Sequence, residues 1–285
     1  MKIGIDSYCY HRYFGEIYPN QKDPGKRMNY ADFLRRAVEL KVDGVSLETC
    51  FFDSFDEVYL KSLKEIIDKG NLETVVAWGH PDGYEGGKKP EAFEDLKKHF
   101  KTCEILGTSV MRIVGSSLAF RHEDHKTQIG KLSKILKSPA AMAADHGVKL
   151  AMENHFDFNA DEILEILDGV SSNSMGVTFD TANALRIGEK PEDFAEKLKG
   201  RIFATHTKDC APLYGGDPAD WSFFASVPVG KGIINFPSVL TILEKNGYKG
   251  LLAIEIDYLH PDYPAEDQAV AESVSYLKKL REGKL

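Results

Sequence analysis

The chain has 285 residues and a net charge of −8, with 28% charged against 42% hydrophobic residues, the balance of an ordinary globular protein able to bury a large core. The acidic excess argues against broad contact with nucleic acid or an anionic membrane, and no apolar run approaches the roughly 20 residues of a membrane span. Four scattered cysteines, Cys9, Cys50, Cys103 and Cys210, form no Cys-x-x-Cys pair and read as reduced thiols rather than a disulfide frame or a sulfur-ligated zinc site.

The opening Met1-Lys2-Ile3-Gly4-Ile5-Asp6 meets an acid too early for a signal peptide, so cytoplasm is the expected location. From there, short β-branched runs alternate with longer amphipathic segments. The predicted strands are Lys2–Ser7, Gly44–Glu48, Leu72–Trp78, Ser109–Val114, Val148–Glu153, Met175–Asp180, Arg201–His206 and Gly250–Ile256. The predicted helices are Tyr30–Lys41, Asp56–Lys69, Pro90–Leu106, Asp124–His146, Ala160–Gly169, Pro191–Leu198, Phe236–Asn246 and Pro264–Arg281. Eight strands, each followed by a helix, predict an α/β fold of the (β/α)8 barrel type, one domain over 1–285. An open doubly wound sheet fits the same pieces, but no Gly-x-Gly-x-x-Gly turn follows the first strand to support a dinucleotide fold. Two long connections, Tyr8–Asn29 and Cys210–Gly232, follow strand C-termini, where barrel enzymes carry substrate loops. The first is aromatic-rich, and reads as packing or as a wall for a sugar, with Tyr10 and His11 as candidate contacts. The second, with Trp221, Phe223 and Phe224, reads as a lid or a subunit contact.

Alternate side chains of a strand share a face. In Val148–Glu153 the residues Val148, Leu150 and Met152 form the outer, greasy phase, leaving Lys149, Ala151 and Glu153 on the barrel axis. By the same parity Asp180, His206 and Glu255 point inward at the ends of their strands, with Phe203 on the phase opposite His206. Inward carboxylates at a barrel mouth are costly without a cation or hydrogen bonds. Three acids and one imidazole therefore predict one divalent ion on Glu153, Asp180, His206 and Glu255. The oxygen-rich set suits Mn²⁺ first, with Mg²⁺, Co²⁺ and Zn²⁺ also compatible. Around it, His80, Glu48, Arg112 and Lys208 are candidate substrate contacts. Each has a structural reading beside it: a packed histidine, a Glu48–Arg112 pair, and a Lys208–Asp209 pair. Gly115-Ser116-Ser117 is too common a turn to imply phosphate.

The segments Ala151-Met152-Glu153-Asn154-His155, Gly176-Val177-Thr178-Phe179-Asp180-Thr181-Ala182-Asn183, Ala204-Thr205-His206-Thr207-Lys208-Asp209 and Ala253-Ile254-Glu255 resemble the xylose-isomerase-like TIM-barrel superfamily of sugar isomerases, epimerases and dehydratases. The resemblance implies a single divalent ion on the same four residues. It also implies a metal-dependent sugar isomerase or epimerase that abstracts a proton next to a carbonyl through a metal-stabilised enediolate. Candidate proton carriers are His155, Glu153 and Glu255. Ketose 3-epimerases of this superfamily carry Asp-x-x-His and a second Glu where this chain has Asn183 and Asn159. The opening Asp6-Ser7-Tyr8-Cys9-Tyr10-His11-Arg12-Tyr13-Phe14-Gly15, with Glu153-Asn154-His155, resembles instead the catalytic subunit of C-glycoside deglycosidases. That alternative implies a lyase cleaving 3-oxo-glycosides by β-elimination, working with a small second subunit. Both readings expect a small-molecule sugar or glycoside as substrate and an oligomer as the assembled state. An apurinic endonuclease would need more metal ligands and a basic channel; a non-catalytic sugar-binding barrel would not need all four.

Overall fold

The computed structural model describes residues 1–284. Eight parallel strands close into a barrel: β1 (Lys2–Asp6), β2 (Gly44–Glu48), β3 (Glu73–Ala77), β4 (Val110–Val114), β5 (Lys149–Glu153), β6 (Met175–Asp180), β7 (Ile202–Thr207) and β10 (Leu251–Ile254). Each strand pairs with its sequence neighbours, and β1 closes on β10. Between β7 and β10 the chain inserts an antiparallel hairpin, β8 (Asp209–Pro212) and β9 (Phe224–Val227), inside the connection that sequence periodicity left unassigned.

The predicted strands hold to within two residues, and two predicted helices are broken. Asp124–His146 splits into His125–Ile135 and Lys137–Asp145, because Pro139 has no N–H to give the carbonyl of Ile135. Pro90–Leu106 splits into a 3-10 turn and two short helices ending at Leu106. An additional helix, Thr181–Arg186, starts directly on Asp180, whose Oδ1 accepts the Asn183 N–H at 2.8 Å.

The outer phases of the strands meet the helices as parity predicts: Leu150, Met152, Val177 and Phe179 are fully buried. The inner phases build two layers. Near the N-terminal end of the barrel Val75, Leu251 and Ala253 form a small apolar plug. Gly44 makes room for it, since a Cβ there would lie 2.7 Å from the Leu251 side chain and 2.5 Å from the Glu73 carbonyl. One parity reading is corrected. The register of β6 against β7 shifts between Val177 and Thr178, and the Phe203 ring lies against Gly176 and under the Lys149 ammonium, both inward. A bulge adds one residue to one strand and re-aims the side chains around it. His206 keeps its inward direction because it is beyond that bulge. Above the plug, at the C-terminal end, the interior turns from apolar to charged.

Candidate functional site

Glu153, Asp180, His206 and Glu255 come from the ends of β5, β6 and β7 and the residue following β10, and all four are buried. Each offers a donor atom, and the four atoms lie within 4.8 Å of one another. His206 Nδ1 is the centre: it lies 3.2 Å from Glu153 Oε1, 2.7 Å from Glu255 Oε2 and 3.9 Å from Asp180 Oδ2. Asp180 Oδ2 and Glu255 Oε2 are buried without a well-directed hydrogen bond, although Lys208 Nζ is 3.0 and 3.4 Å away.

The charges explain why these oxygens stay together. Burial opposes ionisation of Glu153, but Arg112 and His206 outweigh it and hold its carboxyl well below the usual carboxylate range. Burial likewise opposes Glu255, and His206 with Lys208 bring it down to about 2. For Asp180 burial wins over Lys208 and pushes the carboxyl up to about 7. His206, which burial alone would keep neutral, is held protonated well above its ordinary range by Glu255 and Glu153. Without a cation, then, protons do part of the neutralising, which is the behaviour of a ligand set that a divalent ion would fit.

The supporting residues fix these groups in place. Asn154 accepts the Asp180 N–H at 2.8 Å and donates to the Asp180 carbonyl at 2.9 Å. Asn183 Nδ2 donates to Glu153 Oε1 at 3.3 Å, and Arg112 Nε to Glu153 Oε2 at 2.5 Å. Two carboxylates escaped the sequence reading. Asp6 ends β1 and lies 3.7 Å from His206 Nε2, on the far side of the ring, with burial pushing it up to about 6. A carboxylate behind an imidazole orients the ring and selects its tautomer. Parity on β1 points Asp6 inward, so the signal was present in the sequence. Asp257, two residues past Glu255, binds Lys208 Nζ at 3.1 Å and Arg186 Nη1 at 2.7 Å.

A cleft of about 740 Å³ opens onto this cluster. Of the sequence candidates, His155, Glu255, His80, Glu48, Arg112 and Lys208 line it. Lys208 pairs with Asp180, Glu255 and Asp257, not with Asp209, which accepts the Gly230, Gly232 and Ile234 N–H groups of a turn. Arg112 reaches Glu48 at 3.5 Å as well as Glu153, and burial pushes Glu48 up to about 7 against the pull of Arg112. Tyr10 and His11 do not reach the cleft. The Tyr10 hydroxyl donates to Asp267 of the last helix at 2.8 Å, and His11 Nδ1 pairs with the Glu16 carbonyl at 2.7 Å beneath the Tyr8 ring. The first long loop instead supplies Tyr8, Glu16 and Tyr18, and the hairpin supplies Trp221, packed edge-on to Tyr18 and Phe156. Ser117 donates to Asp82 and Ser116 to Gln128, so neither hydroxyl of that turn is free for phosphate.

Arg112 is almost wholly buried between two acids. Replacing it with methionine would strand both, and is expected to lower stability by about 3–5 kcal/mol. Denaturant unfolding of Arg112→Met checks this; a loss below about 1 kcal/mol would mean that the acids simply protonate.

Comparison with known proteins fits this geometry. The chain is 27% identical over 217 residues to the rhizopine catabolism protein MocC of Rhizobium meliloti, a match covering 69% of this chain and 66%, just under two thirds, of that one. It is 23% identical over 249 residues to inosose dehydratase of Clostridium beijerinckii, covering 77% and 78%. Among solved structures, IOLI protein with a binding zinc atom superposes with a TM-score of 0.77 at 16% identity, over 100% of this chain and 99% of that one. A D-tagatose 3-epimerase-like protein gives 0.74 at 20% identity, over 100% and 98%. At such identities the structural likeness speaks for the fold alone. The family model described as Xylose isomerase-like TIM barrel matches residues 34–280, and the chain belongs to that family.

Proposed function

We propose that this protein is a divalent-metal-dependent enzyme that abstracts a proton next to the carbonyl of an uncharged, sugar-like substrate, with His155 as the base. Glu153, Asp180, His206 and Glu255 would hold the ion, which when bound would polarise the substrate carbonyl as a Lewis acid. The observation that carries the reading is the state of His155. It lines the cleft, its Nδ1 has no partner, and burial brings its pKa down to about 4, so the imidazole is neutral and able to take a proton. The two glutamates that would have to exchange the proton in a two-base epimerisation are poor bases. Both are tied to cations and held ionised.

The substrate class follows from the lining. Glu16, Asp82, Asp220, Glu255 and Asp257 face the cleft, and its cations Arg112 and Lys208 are already paired. A phosphorylated sugar would find no spare counter-charge, whereas a neutral polyol would find many acceptors for its hydroxyls. One-base chemistry suits elimination: His155 takes the proton beside the carbonyl, the carbanion's electron pair forms the C=C bond, and the group on the next carbon leaves with its electrons. That reading agrees with relatives named inosose dehydratase. The aromatic mouth of Tyr18, Phe156 and Trp221 favours a substrate with a flat group beyond the sugar, as a 3-oxo-glycoside would carry. Isomerisation of a ketose is the other reading, and uses the same base.

The test is solvent deuterium exchange followed by NMR on a panel of ketoses, inososes and 3-oxo-glucosides with Mn²⁺ present. Loss of a leaving group identifies elimination; exchange without loss identifies isomerisation. No reaction with any of them would count against the proposal.

A pH effect on metal uptake follows from the same charges. Asp180, with its carboxyl raised to about 7 in the metal-free protein, and the protonated His206 must both shed protons to accept an ion. Mn²⁺ binding near pH 6.5 is therefore expected to release more than one proton, and affinity to strengthen as pH rises towards about 8. Calorimetry in two buffers of different ionisation enthalpy measures this. An affinity flat across that range would contradict the assignment.

A further inference from the structure

A second group of donor atoms stands on the opposite side of the cleft and takes no part in the reaction proposed above. Glu16, Cys50 and His80 come from the loops after β1, β2 and β3, and their donor atoms lie within 4.8 Å of one another. Glu16 and His80 line the cleft, while His80 and Cys50 also line a neighbouring cavity of about 700 Å³, which gives an ion a path in. Cys50 is a free cysteine, exposed as a residue although its thiol is partly enclosed. We propose that Glu16, Cys50 and His80 form a second metal site, selective for a thiophilic divalent cation such as Zn²⁺, with its remaining position open to the cleft.

The donor types argue for this. One thiolate, one imidazole and one carboxylate are the mixed soft set that zinc and cobalt accept and that Mn²⁺ and Mg²⁺ do not. The two sites of the barrel would thus differ in the ion they prefer. With metal–ligand bonds of about 2.0–2.3 Å, tetrahedral neighbours stand roughly 3.5 Å apart. The Glu16 Oε1 to His80 Nε2 distance is 2.9 Å, a hydrogen bond that would open by about half an ångström around an ion. The Tyr8 hydroxyl donates to the same Glu16 oxygen at 2.8 Å and so orients the carboxylate from behind.

Charge points the same way. The carboxylates of Glu48 and Glu16 favour a cation beside Cys50, while burial, the largest cause of its raised thiol pKa, means that an ion must displace the thiol proton as it binds. A thiolate and a carboxylate together neutralise a divalent ion, so the occupied site carries no net charge.

Cobalt distinguishes the two sites, because only one of them contains sulfur. Chelator-stripped full-length protein titrated with Co²⁺ is expected to take up two ions per chain, one of them with a thiolate-to-cobalt absorption in the near ultraviolet. Cys50→Ser should remove that band and one ion, and His80→Ala should weaken the same ion by about 100-fold or more. Glu153→Gln should remove the other ion and leave the band. Titration without the band, or a band that survives Cys50→Ser, would overturn the proposal. A band that behaves as expected beside an unaltered ion count in Glu153→Gln would uphold it and overturn the assignment of the first site instead.

Discussion

Glu153→Gln is expected to lose its bound Mn²⁺ and at least about 1,000-fold in turnover, while still folding. The expectation rests on how many roles one carboxylate plays. Glu153 takes Arg112 on one oxygen and Asn183 and His206 on the other, and it sits beside the unpartnered oxygens of Asp180 and Glu255. Glutamine keeps the shape and one carbonyl oxygen, so Arg112 retains an acceptor. What it removes is the negative charge opposite the ion. A readout independent of turnover is thermal stability with and without metal. An ion at 100 times its dissociation constant adds about 2.7 kcal/mol to the stability of wild type, and the variant should show almost none of it. A Glu153→Gln protein that still gained stability from Mn²⁺, and bound one ion per chain, would remove Glu153 from the ligand set.

The four-residue set was legible because it depends on two things a sequence carries well: strand ends and parity. Glu153, Asp180, His206 and Glu255 each end an apolar run on the inward phase, and the structure brings them together even though β7 is bulged. What parity does not carry is height along the barrel axis. Parity points Arg112 inward, where it needs an acid; the nearer of its two partners is Glu153, not the Glu48 suggested by sequence, because side chains lean along their strands and meet a layer above their own backbone register. Parity also ends with the strand. Asp257 and His155 lie past the last paired residues, where the chain turns. Phe156 has a φ of +62°, and the Asp157 carboxylate caps the turn by accepting the His155 and Phe158 N–H groups. Parity extended two residues past Glu153 already points His155 inward, and His155 does line the cleft, although the strand stops at Glu153 and the turn rather than a continued strand aims it. The hairpin β8–β9 was hidden for a related reason. Its eight paired residues are split by a long excursion, and Arg186 ties it down by donating to the Phe224 carbonyl across the barrel mouth. The first loop misled in one respect: Tyr10 and His11 look like substrate contacts by type, yet pack inward, while Tyr8 and Tyr18 of the same loop face the cleft.

His155→Ala separates the base from the metal. Removal of a general base is expected to lower turnover by about 100- to 10,000-fold. Metal stoichiometry should be unchanged, because His155 is not among the converging donor atoms. The pH profile gives a second, sharper check. Burial lowers the His155 pKa to about 4, so the neutral imidazole persists down to that pH. With metal saturating, whose charge lowers the imidazole further, the acidic limb of kcat/KM should therefore fall at or below about pH 4 rather than near the ordinary histidine value of about 6.5. In His155→Ala that limb should disappear along with most of the activity, and added imidazole should restore part of the rate. If the variant instead kept its rate to within about threefold, the proton would go to one of the two glutamates, Glu255 or Glu153. Glu255 is held ionised at about 2 beside His206 and Lys208. As a base it would give an acidic limb lower still, and Lys208→Met, by removing a cation that stabilises the carboxylate, would then move that limb upward. Lys208 lowers the His155 pKa too, so Lys208→Met moves the limb upward for either base; the position of the limb, near about 4 or near about 2, and its survival in His155→Ala assign the proton to one residue or the other.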